Sequence, residues 1–200
     1  MAASQIQVKL LILELVKDVR KESEIPIVAM ISYSILYKNG CENFIKNAVK
    51  AGFDGATIPD LPIEEAESIV EAGKREEFKI ICFIAPTTTD SRMELIVKKS
   101  QGFLYYISVV GITGVRNKLP DDITKNIQKI KKSTSLPVAL GFGISTLEQA
   151  RMAGKIADGV IVGSAIVREI GKYSNQDGNL LVNKVGQFVG ELVNSTKNRN

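Results

Sequence analysis

The chain has 200 residues with 26 Lys and Arg against 22 Asp and Glu, which gives a formal net charge of +4. The basic residues are scattered. Their densest group, Lys129, Lys131 and Lys132, lies among isoleucines at helical spacing and indicates a solvated helix face. No aromatic residues interleave with the basic ones, so nothing favours single-stranded nucleic acid as a partner.

The residues of metal and nucleophile chemistry are scarce. The chain has no histidine, and its two cysteines, Cys41 and Cys82, lack metal-ligand spacing. This argues against a zinc site and against a Ser–His or Cys–His nucleophile. No apolar run approaches the ~20 residues of a membrane span, and no signal peptide is recognisable. We therefore expect a single domain over residues 1–200, cytoplasmic by default, with a plastid left open.

Six short apolar runs alternate with amphipathic helical patterns along the chain. The first helical pattern spans 6–22 and the last 181–194. The runs are almost continuously apolar, which is typical of strands buried on both faces of a parallel sheet. The predicted strands are 26–32, 55–60, 79–85, 103–109, 137–141 and 158–163.

This order predicts an α/β fold. The regular spacing of the predicted strands along the chain is typical of a (β/α)₈ TIM barrel, although a complete barrel has eight strands. Six strands also fit an open doubly wound sheet, and the residue pattern leaves both open. We expect an incomplete barrel with about six parallel strands.

Glycine-rich turns follow the last two predicted strands. Gly141-Phe142-Gly143 leads into a helix with a predicted capping box, Ser145 with Glu148. Gly163-Ser164 leads into the next helical pattern. Helix starts present unpaired N–H groups, and glycine lets a phosphate approach them closely. One such turn is no more than a tight connection, but the adjacent pair favours a phosphate site.

Two further features have open interpretations. The loop 109–119, with Gly111 and Gly114, is either a mobile lid or an ordinary surface loop. Asp60 ends a predicted strand, where it is either a site residue or a carboxylate that stabilises the following helix start. Tyr105 lies within a predicted strand, and the sequence does not say which face it occupies.

Four motifs of the chain resemble the tryptophan synthase α subunit family, in the same order and at similar spacing. They are "PDLPIEE", "YYISVVGITGVRN", "ALGFGIST" and "VIVGSAIV". The resemblance covers nearly the whole chain. It implies a (β/α)₈ barrel that cleaves indole-3-glycerol phosphate to indole and glyceraldehyde 3-phosphate by a retro-aldol reaction. It also implies an α₂β₂ assembly, in which indole passes to a β subunit that carries pyridoxal phosphate, the α chain needing no cofactor.

The resemblance also implies roles for individual residues. Tyr105 and Phe142 match the indole part of the pocket, and Thr113 matches the lid threonine. Asp60 lies in a motif whose loop helps to contact the β subunit, and we count it among the substrate-contacting candidates. The phosphate is expected at the backbone of four residues, Gly114, Gly143, Gly163 and Ser164.

The chain departs from the family where proton transfer takes place. The family's catalytic Glu at the end of strand 2 and its Asp in a "PFSDP"-like stretch have no counterpart here. We interpret this as loss of strand 1, helix 1 and strand 2, with "MAASQ" resembling an interior family stretch. Ser34 and Ile35 also stand where the family often has Asn-Pro.

Three functions remain in view. The first is a tryptophan synthase α chain, that is, a lyase whose activity is impaired when the chain is on its own. The second is a non-catalytic phosphate-binding module that docks on a β subunit. The third, another phosphate-binding barrel enzyme, is disfavoured by the "GITGV" motif.

Overall fold

The computed structural model describes residues 2–108, 121–141 and 143–197, without the side chains of 2–10, Asn39 and Asp121. All six predicted strands are present, each shorter than its apolar run. They are β1 (Val28–Met30), β2 (Gly55–Thr57), β3 (Lys79–Ile84), β4 (Leu104–Ile107), β5 (Val138–Gly141) and β6 (Gly159–Ile161).

Helices precede, separate and follow these strands. One short helix, α2, was not predicted. The helices are α1 (Ala2–Arg20), α2 (Tyr33–Asn39), α3 (Cys41–Ala51), α4 (Glu67–Arg75), α5 (Asp90–Lys99), α6 (Asp121–Ser133), α7 (Leu147–Ile156), α8 (Ser164–Tyr173) and α9 (Gly178–Lys197). In the described part of the chain, no helix combines the length and the hydropathy needed to cross a membrane.

The chain divides into two compact units. Unit 1 comprises Met1–Cys82 and Leu95–Gly102, and unit 2 comprises Phe83–Glu94 and Phe103–Asn200. Each unit has its own set of parallel strand pairs, so the predicted α/β class is confirmed. The single domain over 1–200 stays a prediction.

In unit 1, β2 pairs in parallel with both β1 and β3, so that Ala29, Ala56 and Ile80 share one register. The amphipathic helices α3 and α4 bury apolar faces, among them Ile45 and Ile69. These faces supply the core that the periodicity predicted.

The side chain of Arg20 joins the end of α1 to the start of the sheet in unit 1. Its Nε donates to the Gly52 carbonyl at 2.7 Å, and its guanidinium also donates to the Ile25 carbonyl at 2.5 Å. One carboxylate oxygen of Asp54 accepts hydrogen bonds from the Arg20 guanidinium and from the Ile27 N–H, and the bond from Ile27 is 2.6 Å long. One planar guanidinium thus satisfies carbonyls from two connections, as its fork of donors allows.

In unit 2, β5 pairs in parallel with β4 and β6, which places Ile107, Gly141 and Ile161 in one register. Helix α9 packs against α7 and α8. Helix α6 buries its isoleucines, whereas Lys129, Lys131 and Lys132 are exposed. Two of these lysines pair with carboxylates, Lys131 with Asp158 and Lys129 with Asp90, which confirms the predicted solvated face.

Two strand edges are unpaired among the described residues, one on β1 and one on β6. Neither Val-Ala-Met nor Gly-Val-Ile carries a charge or a proline that would discourage pairing with another chain. We predict that the isolated chain self-associates as its concentration rises, measured by light scattering. Met30→Lys, which puts a charge on β1, should reduce this association.

The matched control is Val182→Lys on α9, because Val182 is 66% exposed and Met30 is 65% exposed. It should leave the association unchanged. A chain that stays monomeric at high concentration would contradict the prediction.

Candidate functional site

The turn after β6 brings an uncapped helix start to the carboxyl edge of the unit 2 sheet. Gly163 occupies the N-cap position of α8, and among the described residues no side chain caps this helix. The Gly163 carbonyl accepts from the N–H groups of Ile166 and Val167 at 2.9 and 3.1 Å. The N–H groups of Ser164 and Ala165 open the helix and are the donors that a helix start leaves unsatisfied.

The surroundings of this turn are open. Gly163 and Ser164 are exposed, and a Cβ placed on Gly163 would meet nothing within 4 Å. An anion at this position would be favoured by the N–H groups and by the positive end of the helix dipole. The α8 turn therefore has the features of an anion site.

The turn after β5 is different, because α7 is capped by its own side chains. Thr146 Oγ1 accepts from the Gln149 N–H at 3.2 Å. Gln149 Oε1 accepts from the Ser145 N–H at 2.8 Å and from the Ser145 hydroxyl at 3.1 Å. The cap is thus Thr146 with Gln149, and the predicted capping box of Ser145 with Glu148 is wrong by one residue.

Burial explains why the cap lies at Gln149. Gln149 is 6% exposed, whereas Glu148 lies on the surface, where Arg151 binds it through two nitrogens at 2.9 and 2.7 Å. A neutral amide can be buried once it is hydrogen-bonded, while a carboxylate at the same place would lose its hydration.

The strand register aligns the two turns. Gly141 of β5 is the partner of Ile161 of β6, so Gly143 and Gly163 each follow their strand end by two residues. Gly143 is exposed and has φ +82°, in the left-handed region that glycine adopts without strain. Both backbones thus leave the sheet at the same edge.

Tyr105 lies beside this edge, on the same face of the sheet as Gly141. Its ring fills the space that a side chain on Gly141 would need: a Cβ there would lie 2.6 Å from the Tyr105 hydroxyl oxygen. The other neighbour of the ring is Phe83, with 4.9 Å between ring centroids and an angle of 35°. Tyr105 is 9% exposed, and burial raises the pKa of its phenol above the ordinary value.

Asp60 lies in unit 1, after β2. Its Oδ1 accepts from the Tyr33 N–H at 2.6 Å, and Tyr33 is the first residue of α2, whose N-cap Ser32 makes no side-chain cap. The carboxylate thus stabilises a helix start, but that of the preceding α2 rather than of the following helix. Asp60 remains exposed, so a substrate role stays a prediction.

Gly143, Gly163, Ser164 and Tyr105 all lie in unit 2. Three predicted site residues, Thr113, Gly114 and Phe142, lie outside the described residues. The loop 109–119, interpreted as either a mobile lid or a surface loop, also lies outside them. Sequence reasoning missed Phe83. No signal pointed to it, since the ring contact depends on how the strands that carry the two rings are placed.

No group of three His, Cys, Asp or Glu side chains among the described residues could hold a metal ion. The arrangement can bind an anion through backbone N–H groups beside an aromatic pair. Parallel βα units with such a turn at the carboxyl edge define an α/β protein of the barrel type.

Comparison with known proteins makes this class specific. The family model for the tryptophan synthase alpha chain matches residues 4–197. The chain therefore belongs to the tryptophan synthase alpha chain family, and the predicted resemblance and TIM-barrel class are confirmed.

The sequence of the chain is similar to those of tryptophan synthase alpha chains from bacteria and archaea. The tryptophan synthase alpha chain of Geotalea uraniireducens is 40% identical over 181 residues, 90% of this chain and 67% of that protein. That of Methanocaldococcus jannaschii is 40% identical over 168 residues, 84% of this chain and 60% of that protein. The chain thus spans about two thirds of the length of these relatives.

Solved structures of the same family have a similar fold. Tryptophan synthase subunit alpha from Legionella pneumophila superposes with a TM-score of 0.82 at 29% identity, over 94% of this chain and 69% of that one. A structure of the Pyrococcus furiosus tryptophan synthase α₂β₂ complex gives 0.78 at 34% identity, over 89% of this chain and 72% of that one.

The geometry predicts which amides respond to phosphate. In a titration with inorganic phosphate followed by amide NMR, the largest shifts should fall on Gly163, Ser164 and Ala165, with Gly143 also moving. The capped start of α7, residues 146–148, should move less, because its side chains already compete for the donors.

The control is Thr146→Ala, which opens the α7 cap without touching α8 and should leave the α8 shifts in place. Shifts that cluster elsewhere while the α8 amides stay silent would disprove the assignment.

Proposed function

We propose that the chain acts as the α component of a tryptophan synthase in tryptophan biosynthesis. Its substrate is indole-3-glycerol phosphate, and its reaction is the retro-aldol cleavage to indole and glyceraldehyde 3-phosphate. The single observation that carries this proposal is the uncapped, open start of α8 beside Tyr105 and Gly141 in a member of this family.

The phosphate group binds first in this scheme. The N–H groups at Ser164 and Ala165 hold its oxygens, and Gly143 lets the neighbouring backbone approach. Thr113, Gly114 and Phe142 keep the roles that the resemblance implies for them. The aromatic rings of Tyr105 and Phe83 give the site an apolar wall suited to the indole end.

The chemical step needs two proton transfers. An acid protonates C3 of the indole ring, and a base removes the proton of the glycerol 3′-hydroxyl. The carbon–carbon bond to the ring then breaks, its electron pair returns to the indole ring, and the hydroxyl-bearing carbon becomes the aldehyde. No metal or cofactor is proposed for this chain.

The chain lacks recognisable residues for these two proton transfers. In the family they are a Glu and an Asp in stretches without a counterpart in these 200 residues. General acid and base groups typically each contribute about 10²–10⁴-fold. In this proposal the chain still binds the phosphorylated substrate, but its lyase activity on its own is impaired.

A β subunit with pyridoxal phosphate is the proposed partner, to which indole passes. A related α chain occurs in an α₂β₂ complex from Pyrococcus furiosus. Asp60 anchors the start of α2, and the resemblance implies that the Asp60 loop helps to contact the β subunit. The alternative function, a phosphate-binding module that docks without catalysis, uses this same surface.

We predict that the purified chain releases indole from indole-3-glycerol phosphate at least about 10²-fold more slowly than a full-length relative does. Because the substrate carries the same indole ring as the product, released indole is first extracted into an organic solvent and then quantified. The assay is run with and without a β subunit, and the Geotalea uraniireducens alpha chain serves as the reference.

Turnover close to that of the reference would contradict the prediction, and Asp60→Asn would then test the nearest replacement acid. Binding of indole-3-glycerol phosphate without any indole release, even with a β subunit present, would favour the docking module. Absence of binding would overturn the proposed substrate.

A further inference from the structure

The helix layer of unit 1 extends one helix further than its strands. Helix α3 connects β1 to β2, α4 leads from β2 to β3, and α3 packs against both α4 and α1. Helix α1 therefore lies on the side of α3 toward the outer edge of β1, where no further strand pairs among the described residues. A helix in such a layer covers the two strands that it connects. At α1 only one of these two strands, β1, is present.

Helix α1 also exposes apolar side chains. Leu11, Ile12 and Leu15 are 68%, 48% and 62% exposed, whereas the neighbouring Val16 is 6% exposed. Leu11 and Leu15 are about one helical turn apart and share a face of the helix. Single exposed apolar residues are ordinary on a protein surface, but three within five residues of one helix form a patch. The apolar face of α1 is thus wider than its packing in unit 1 uses.

The strand edge next to α1 is uncovered as well. In the part of the chain that the structure describes, β1 pairs with β2 alone, and Met30 at its carboxyl end is 65% exposed. A strand that is joined through a helix to a parallel strand of the same sheet follows a right-handed crossover. The order strand, α1, β1 therefore fits a parallel strand at the open edge of β1, beneath α1.

The relatives contain a segment of suitable length. The match to the Geotalea uraniireducens alpha chain spans 181 residues and 67% of that protein, so about 90 of its residues lie outside the match. In this chain successive strands start 21 to 34 residues apart. A segment of that length thus holds two strands and the helix between them. The family elements without a counterpart here, strand 1, helix 1 and strand 2, come before α1 in chain order.

We propose that the uncovered surface of unit 1, formed by Leu11, Ile12 and Leu15 of α1 and by Met30 of β1, is a docking site for the amino-terminal part of a tryptophan synthase alpha chain, supplied as a separate polypeptide. The last strand of this polypeptide pairs in parallel with β1, and its helix covers Leu11 and Leu15. The inference goes beyond the proposed function, because docking does not depend on the substrate. The docked polypeptide also carries the family's Glu and Asp, which this chain lacks.

The test uses the stretch of the Geotalea uraniireducens alpha chain that precedes its match to this chain, made as a dye-labelled polypeptide. Fluorescence anisotropy should show saturable one-to-one binding to the whole 200-residue chain. Leu15→Lys and Met30→Lys should each weaken this binding at least about 10-fold, because each puts a charge into an apolar contact. Leu15→Ala should weaken it about 3-fold, and alanine, the best helix former, leaves α1 intact.

The matched control is Val182→Lys on α9, because Val182 is 66% exposed and lies in unit 2. It adds the same charge at a similarly exposed apolar position and should leave the binding unchanged. Light scattering gives a second readout. The polypeptide should lower the self-association of the chain, because it occupies the β1 edge.

The inference is overturned if the polypeptide does not bind, or if Val182→Lys weakens binding as much as Leu15→Lys does. A dimer that persists with the polypeptide present, and that Leu15→Lys dissociates, would show that a second copy of the chain occupies this surface and would overturn it too. Binding of the polypeptide without indole release from indole-3-glycerol phosphate would support the docking and count against the proposed lyase activity.

Discussion

Each βα turn of a parallel sheet brings the unpaired N–H groups of a helix start to the carboxyl end of a strand, and these groups need acceptors. The chain meets this constraint in three ways. Helix α7 uses its own Thr146 and Gln149. Helix α2 uses Asp60, a carboxylate from the next turn along the chain. Helix α8 has no side-chain cap among the described residues. The proposed anion site follows from this difference, because α8, unlike α7 and α2, keeps its first N–H groups available.

The close approach of Tyr105 to Gly141 gives the site its second feature. It depends on the parallel register of β4 and β5, which puts both residues on one face of the sheet. The missing side chain at Gly141 lets a tyrosine ring lie along the strand, with its hydroxyl toward the turn. The first glycine of Gly-Phe-Gly is thus required by a neighbouring ring, and the second by its positive φ. Both reasons are independent of the phosphate contact predicted for Gly143, which stays a prediction.

The sequence was sufficient for the class of fold but not for the details of the turns. Continuous apolar runs predicted all six strands, yet β2 stops at Thr57, because an apolar residue such as Ile58 packs equally well in a turn. Both Ser145 with Glu148 and Thr146 with Gln149 fit the capping pattern, and only burial decides between them. One of the two interpretations of Asp60 placed its carboxylate at the following helix start, since chain order does not reveal that the start of α2 lies closer. The contact of Phe83 with Tyr105 depends on strand placement, which no local pattern encodes.

The central claim is that α8, and not α7, holds the phosphate, and a substitution at Gly163 tests it most directly. Gly163→Asp supplies a carboxylate cap that competes for the α8 donors and repels an anion, and the space around Gly163 accommodates it. By calorimetry, indole-3-glycerol phosphate should then bind at least about 10-fold more weakly, with Gly163→Asn intermediate. The reciprocal variant Thr146→Ala should bind as the unmodified chain does. Unchanged binding by Gly163→Asp, or loss of binding by Thr146→Ala, would contradict the account.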